Sequence, residues 1–345
     1  MIKERIYQAH EELRSQEKNP RMYLGASYLG DVCERKVWFA YRHALPSFFK
    51  GQLLKIFRRG HNEEAEVFAD LRLIGAQVQG FNENGSQIEV SALNGHLKGH
   101  LDAVVRNLPA PYFSAKPQLL EIKTAKDERF KKLCKEGVEK TNPTHYGQMQ
   151  IYMGLTNMES AIYYCVNKND DDIYTEQVPF KAAKFKELMA RAERVIFNAE
   201  PPLPISNDPS WFECKMCSFH GICHGTDIPQ RNCRTCCHST PQRTNDNGDW
   251  LCERFNIVPE PAQQYEGCLD HRIIPQTMTR FAKVVSADHE ANFIEYEHLT
   301  TGNRFSQGGD KHYSTDEIFN MKDKRMLGDS GLESIKEMFG AKVVA

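Results

Sequence analysis

Two short segments constrain this chain more than any other feature, because each carries charge inside an otherwise apolar stretch. In Gly99-His100-Leu101-Asp102-Ala103-Val104-Val105 a single acidic residue interrupts a strand-like run. A carboxylate buried there needs a cation or a proton. Nineteen positions later, Leu119-Leu120-Glu121-Ile122-Lys123-Thr124 alternates with period two. That period sets Glu121 and Lys123 on one face and Leu120 and Ile122 on the other. A hairpin between the segments would bring Asp102 beside Glu121. Two hard carboxylates with an open coordination sphere suit Mg²⁺ or Mn²⁺, which keep waters and polarise phosphates. A charged pair two residues apart is, by itself, usually just a solvated strand face.

Periodicity and breakers supply the surroundings. Residues 1–45 read as helical, with Tyr28, Leu29, Val32, Val37, Trp38 and Tyr41 as apolar positions around Cys33. A second helix is expected after Gly60, through residues 61–68. Residues 77–124 read as a meander of strands, broken at Asn84-Gly85, at Asn94-Gly95 and by a proline-rich loop from Pro109 to Pro117. Asn142 and Pro143 open a helix carrying Tyr146, Met149, Ile151, Tyr152 and Met153. Strands are expected near 160–166 and 172–179. A helix over 181–200 then stops at Pro201-Pro202-Leu203-Pro204, which cannot continue it. Beyond Arg272 the pattern predicts a small hairpin over 281–305, a polar segment and a short amphipathic helix.

Four motifs occur in a fixed order: Gly60 to Glu64, Gly99-His100-Leu101-Asp102, Glu121-Ile122-Lys123-Thr124, and Gln148-Met149-Gln150-Ile151-Tyr152. In this order the chain resembles the RecB-like branch of the PD-(D/E)XK nuclease superfamily, a group that includes lambda exonuclease, AddB-type nucleases and CRISPR-associated adaptation nucleases. The resemblance implies an α/β fold with a restriction-endonuclease-like core, a mixed central sheet flanked by helices. It also implies Mg²⁺ or Mn²⁺ at Glu64, Asp102 and Glu121, with Lys123 positioning the attacking water and Gln148 and Tyr152 beside the DNA. His61 and Glu63 compete with Glu64 for its role, and Tyr152 with Gln148 also fits a core tyrosine and its polar neighbour. Lys126, Arg129, Lys131, Lys132 and Lys135 form a basic run that suits DNA phosphates or a solvated helix face.

The cysteines demand a separate account. The N-terminus lacks the continuous apolar segment of a secretory signal, so a cytoplasmic location is expected, the host cytoplasm for a viral chain. In a reducing compartment, 11 cysteines point to metal ligation rather than disulfides. Cys214, Cys217 and Cys223 have a C-x2-C-x5-C spacing with no fourth ligand at the usual distance. Iron–sulfur members of the resembled branch carry one cysteine before the nuclease motifs and three after them in this spacing. The resemblance therefore implies a 4Fe-4S cluster on Cys33, Cys214, Cys217 and Cys223, acting as a staple. Zinc held by the three downstream cysteines with His220 or His224 is the alternative. Cys233, Cys236, Cys252 and Cys268 form a second set suited to tetrahedral zinc in a zinc-ribbon-like module, and Cys237, His238 and His271 stand close enough to replace a member.

The resemblance covers roughly residues 20–228, which gives three parts: a nuclease domain over 1–228, a cysteine-rich module over 229–272 and a small extension over 273–345. A net charge of −2 excludes a uniformly basic nucleic-acid protein. No apolar run approaches the ~20 residues of a membrane span. The function implied is a Mg²⁺- or Mn²⁺-dependent deoxyribonuclease, an exonuclease working on linear duplex or single-stranded DNA ends in recombination, repair or phage DNA metabolism. Without a Walker-type motif in the sequence, it would act beside a single-strand annealing or recombination protein. A non-catalytic iron–sulfur and zinc DNA-binding module is the alternative. A CRISPR-type adaptation nuclease ranks third, because the part beyond Arg272 exceeds that compact pattern.

Overall fold

A computed structural model describes residues 1–16, 21–309 and 312–344; residues 17–20, within the stretch read as helical, lie outside the described residues. The first half contains strands β1 (Leu24–Gly25), β2 (Gln77–Gln79), β3 (Ile88–Ala92), β4 (Leu97–Leu101), β5 (Ala103–Arg106), β6 (Gln118–Ala125), β7 (Ser160–Asn167) and β8 (Ile173–Pro179). The helices of this half are α1 (Ile2–Ser15), α2 (Glu34–Tyr41), α3 (Gly51–Leu73), α4 (Asp127–Glu136), α5 (Val138–Thr141), α6 (Pro143–Thr156) and α7 (Ala182–Phe197). The result is a mixed α/β fold built on a five-stranded sheet in the order β2-β5-β6-β7-β8. Within it β6 and β7 run parallel and the other neighbours antiparallel. Parallel neighbours need a long crossover, which α4, α5 and α6 supply.

Strands β6 and β7 are covered on both faces, hence their near-continuous apolar sequences. Leu120, Ile122, Ile162 and Tyr164 pack against Val67, Phe68 and Leu71 of α3. Leu119, Tyr163 and Cys165 point the other way, into a larger core with Trp38 of α2, Met149 and Tyr152 of α6, and Leu188 of α7. Glu121 and Lys123 share this second face, as the period-two alternation predicts.

Several sequence expectations are corrected. The meander over 77–124 belongs to two sheets: β3 and β4 form a hairpin that joins β1 in the order β1-β4-β3, while β5 and β6 lie in the central sheet. Asp102 is the single residue between β4 and β5, so the chain changes sheets at this carboxylate. The helix expected after Gly60 begins at Gly51, and Gly60 lies within it with open space where a Cβ would be. The helical reading of residues 1–45 divides into α1, β1, a 3₁₀ turn over Ala26–Tyr28 and α2, with Cys33 as the N-cap of α2. Tyr28 and Val32 are exposed, whereas Leu29, Val37, Trp38 and Tyr41 are buried.

The cysteine-rich stretch starts with α8 (Phe212–Lys215) and α9 (His220–His224), continues through the hairpin of β9 (Ser239–Pro241) and β10 (Trp250–Cys252), and includes α10 (Pro261–Glu266). It does not stand apart from the larger core. Trp250 is fully buried there, with the guanidinium of Arg42 5.0 Å and that of Arg234 4.9 Å from its ring centroid. Arg234 donates to the carbonyls of Tyr41 (3.1 Å) and Met22 (2.6 Å), and Arg42 to those of Arg234 and Asn198 (both 2.8 Å). These carbonyls compensate two buried cations that have little access to water. The hairpin expected over 281–305 is a three-stranded sheet of β11 (Ala282–Asp288), β12 (Phe293–His298) and β13 (Arg304–Gln307). It has its own core with Ile228, Ile273 and Ile318, followed by α11 (Thr315–Asn320) and α12 (Ser330–Phe339). Among the described residues, no helix is long and apolar enough to cross a membrane.

Candidate active site

Register places the charged residues together. Ala103 pairs with Leu120, so Asp102, just beyond the ladder, stands across from Glu121. Its Oδ2 accepts the backbone N–H of Ile122 at 2.7 Å, continuing the pairing at the point where the chain leaves the sheet. Glu121 is 0% exposed, and neither of its carboxylate oxygens accepts a hydrogen bond of proper geometry, although the Lys123 ammonium lies against Oε1. Lys123 Nζ also lies 3.6 Å from Asp102 Oδ2 and donates to the Ile122 carbonyl at 3.0 Å.

The electrostatics follow from this crowding. Burial, with the charges of Asp102 and Glu64 added, pushes Glu121 up to about 8 against the pull of Lys123. Lys123 is itself raised, because Glu121 and Asp102 together outweigh the burial that opposes its charge. Glu64, on α3, is raised by burial and by Asp102, opposed by His61, whose Nδ1 is 3.4 Å from Oε1. The three carboxylates named from the sequence are thus electrostatic neighbours, and His61 pairs with Glu64. Among the described residues, no three His, Cys, Asp or Glu side chains converge into a ready coordination shell.

Helix α6 closes the site from the side of the larger core. Gln148 and Tyr152 are almost fully buried, and Gln148 Nε2 donates to the Tyr152 hydroxyl at 3.3 Å. Burial and the charges of Glu121 and Asp102 raise Tyr152, so its phenol stays protonated. The motif glycine Gly99 has a direct packing reason: a Cβ at this position of β4 would clash with the hydroxyl edge of the Tyr152 ring, 2.3 Å from Cε1. Gly30 serves the turn before Cys33 in the same way, since a Cβ there would strike the backbone of Pro143 and Thr144 at the start of α6.

Beside Lys123 lies a cavity of about 430 Å³, lined among others by Lys126, Arg129, His145, Tyr163 and Lys168. His145 shares a 2.9 Å hydrogen bond with the Tyr163 hydroxyl, and burial with the nearby Lys123 charge depresses its pKa to about 3, so the ring is neutral. The predicted basic run is divided by the helical twist of α4. Lys126 and Arg129 face the cavity, Lys131 pairs with Asp127 at 2.8 Å, and Lys132 is exposed away from the lining. His145, Tyr163 and Lys168 escaped the sequence reading: they belong to no spaced motif, and parallel pairing of β6 with β7 sets Tyr163 beside Glu121.

Within each cysteine set the thiols are electrostatic neighbours, although among the described residues no three of them converge into a metal-binding group. Burial pushes the Cys223 thiol up to about 11; Arg35 pulls it down, and Cys217, Cys33 and Cys214 add to the rise as neighbours. Cys33 is held at the start of α2 by Gly30 packing and by a paired contact of Arg194 on Glu34, both bonds 2.9 Å. In the second set, burial pushes Cys233 up to about 12, with Cys236, Cys268 and Cys252 as the neighbouring thiols. His271 uses both ring nitrogens on hydroxyls, at 3.1 Å from Thr235 and 2.8 Å from Thr315, which argues against it as a ligand. His238 uses Nε2 on Asn292 at 2.8 Å.

No family model and no curated protein matches the sequence. Among solved structures the chain is similar to SSO0001, at 20% identity and a TM-score of 0.39, over 65% of this chain and 96% of that one. It is also similar to the alkaline exonuclease LHK-Exo from Laribacter hongkongensis, at 13% identity and a TM-score of 0.36, over 56% of this chain and 90% of that one. The same exonuclease in complex with dAMP gives the same values.

Proposed function

We propose that this chain is a Mg²⁺- or Mn²⁺-dependent deoxyribonuclease, an exonuclease acting on DNA ends in recombination, repair or phage DNA metabolism. The observation that carries the reading is the Glu121 carboxylate, fully buried with no properly formed hydrogen bond to either oxygen, beside a Lys123 ammonium that also faces Asp102. A buried acid so poorly satisfied is costly unless a cation completes it. The donor set fits: hard carboxylate oxygens from Glu121, Asp102 and Glu64 suit a small divalent ion. When bound, such an ion supplies positive charge to the phosphate and acidifies a water.

The protein's own groups have separate tasks. Asp102 is fixed by the Ile122 N–H, so one oxygen is already positioned while the other stays available. Lys123 presents an ammonium at the mouth of the site, where it orients the attacking water and offsets charge developing on the phosphate. Tyr152 and Gln148 wall the site on the α6 side, and Lys126 and Arg129 take backbone phosphates beside the cut. The first thiol set is assigned to a 4Fe-4S cluster that joins α2 to the α8–α9 segment, and the second to structural zinc.

The test uses anaerobically purified full-length protein on end-labelled linear duplex, circular duplex and single-stranded DNA, with Mg²⁺, Mn²⁺ or no added divalent ion. Linear DNA should be degraded only with metal. Lys123→Ala should lower the rate by at least about 100-fold, and Asp102→Asn, which keeps an acceptor for the Ile122 N–H, should do the same in a folded protein. Cluster-loaded protein that binds DNA yet never cuts it would make the chain a binding module instead.

A further inference from the structure

A second cavity of about 580 Å³ adjoins the one beside Lys123, and the two share Ile56, Lys126, Glu128 and Lys168 along their walls. Together they form a path from the catalytic lysine to the surface between the first half of α3 and the start of α4, ending at Arg59 and Asn169. Its charge is lopsided. Lys123, Lys126, Arg129, Lys168 and Arg59 line it, while its carboxylates are Glu128 and Asp127, the latter already paired with Lys131 and hydrogen-bonded by Asn167.

Lys168 and Arg59 are the cations that no motif suggests. Lys168 is half-buried at the end of β7, and the Arg59 guanidinium reaches over it to the Lys168 carbonyl at 3.4 Å. Burial and the charges of Arg59 and Lys126 lower Lys168, opposed by Cys165 and Glu63. Cations gathered around open space repel one another until an anion joins them. Between the cations, Ile56, Leu133, His145 and Tyr163 offer apolar and planar surface, the combination used by proteins that hold single strands through phosphates and bases alternately. Each cavity has the volume of a small-molecule pocket, a scale that matches single nucleotides rather than stacked base pairs.

We infer that an unpaired DNA strand runs from the Lys123 site outward through this groove, with Lys168 and Arg59 holding its phosphodiester groups. The inference rests on the nuclease reading for what happens at Lys123, but strand binding is measured without cleavage, so the two fail separately.

The experiment is fluorescence anisotropy of labelled dT12 and of a blunt 12-base-pair duplex on the full-length protein, with no added divalent metal, over a range of salt. Arg59→Ala and Lys168→Ala should each weaken dT12 binding several-fold. The double variant should weaken it at least tenfold and reduce the slope of log Kd against log salt by about 0.7 for each phosphate no longer neutralised. Lys168→Arg should retain binding, and Lys283→Ala on β11 should behave as wild type. Melting curves confirm that each variant is folded. Unchanged dT12 affinity and salt slope in the double variant overturn the assignment. So does equal weakening for dT12 and duplex, or a groove whose mutation abolishes competition by inorganic phosphate while dT12 binding persists. If wild type cuts nothing but the groove variants no longer bind dT12, the nuclease proposal falls and the strand path stands.

Discussion

At the scale of single residues, Glu121 links chemistry to stability. Its folded-state pKa of about 8 lies above the ordinary value of 4.5, so the folded protein holds a proton that the unfolded chain releases. That proton-linked stability is fully present below about pH 4.5 and is lost as pH rises through about 8. Glu121→Gln should therefore raise Tm, by more at pH 8.5 than at pH 5.5, while abolishing cleavage; a gain independent of pH would contradict the assignment. On the proposed metal-dependent reading a divalent ion displaces that proton, so Mn²⁺ affinity should increase between pH 6 and 8. Calorimetry in buffers of different ionisation enthalpy should find proton release on binding at pH 7. Glu121 and Lys123 were legible because alternation in a buried strand leaves charge nowhere else to go. Lys168 and Arg59 were not: they sit 109 positions apart, and only the folded chain shows that they share a groove.

At the scale of elements, the strand and helix motifs prove to be parts of one packing solution. Gly99 on β4 makes room for Tyr152 on α6, so two motifs 53 positions apart in sequence meet at one point of the core. Gly99→Ala should cost about 1–3 kcal/mol by overpacking. A double-mutant cycle with Tyr152→Leu should recover part of that cost, and strict additivity in denaturant melts would refute the pairing. The sheet change at Asp102 was hidden for a physical reason. Leu97, Gly99 and Leu101 in β4 and Ala103 and Val105 in β5 are all apolar or glycine at odd-numbered positions, so the sequence spacing gives no sign of the break, although Val104 is buried as well. Alternation reports which face is buried, and is silent on which neighbour the strand pairs with. The start of α3 was misplaced because Gly60 reads as a breaker, although a single glycine within a 23-residue helix costs only about 1 kcal/mol.

At the scale of the whole molecule, the cysteine-rich stretch and the central sheet share a core. Spacing distinguished the two thiol sets, yet nothing in the sequence indicated that Trp250 would lie between Arg42 and Arg234, or that the His96 ring would bridge the Tyr41 hydroxyl and the Gln242 carbonyl, each at 2.8 Å. Trp250→Ala should cost about 3–5 kcal/mol. It should lower the melting of the α/β core together with that of the cysteine-rich stretch, in one transition by calorimetry; two independent transitions would show that the stretch folds by itself. The shared core also orders events during synthesis. A ribosome delivers Tyr41, Arg42 and His96 long before Trp250, and domains tend to fold as their residues emerge. Here the nascent half carries an unfilled socket among Tyr41, Arg42 and His96 until the indole arrives, so the larger core is completed only when most of the chain has been made.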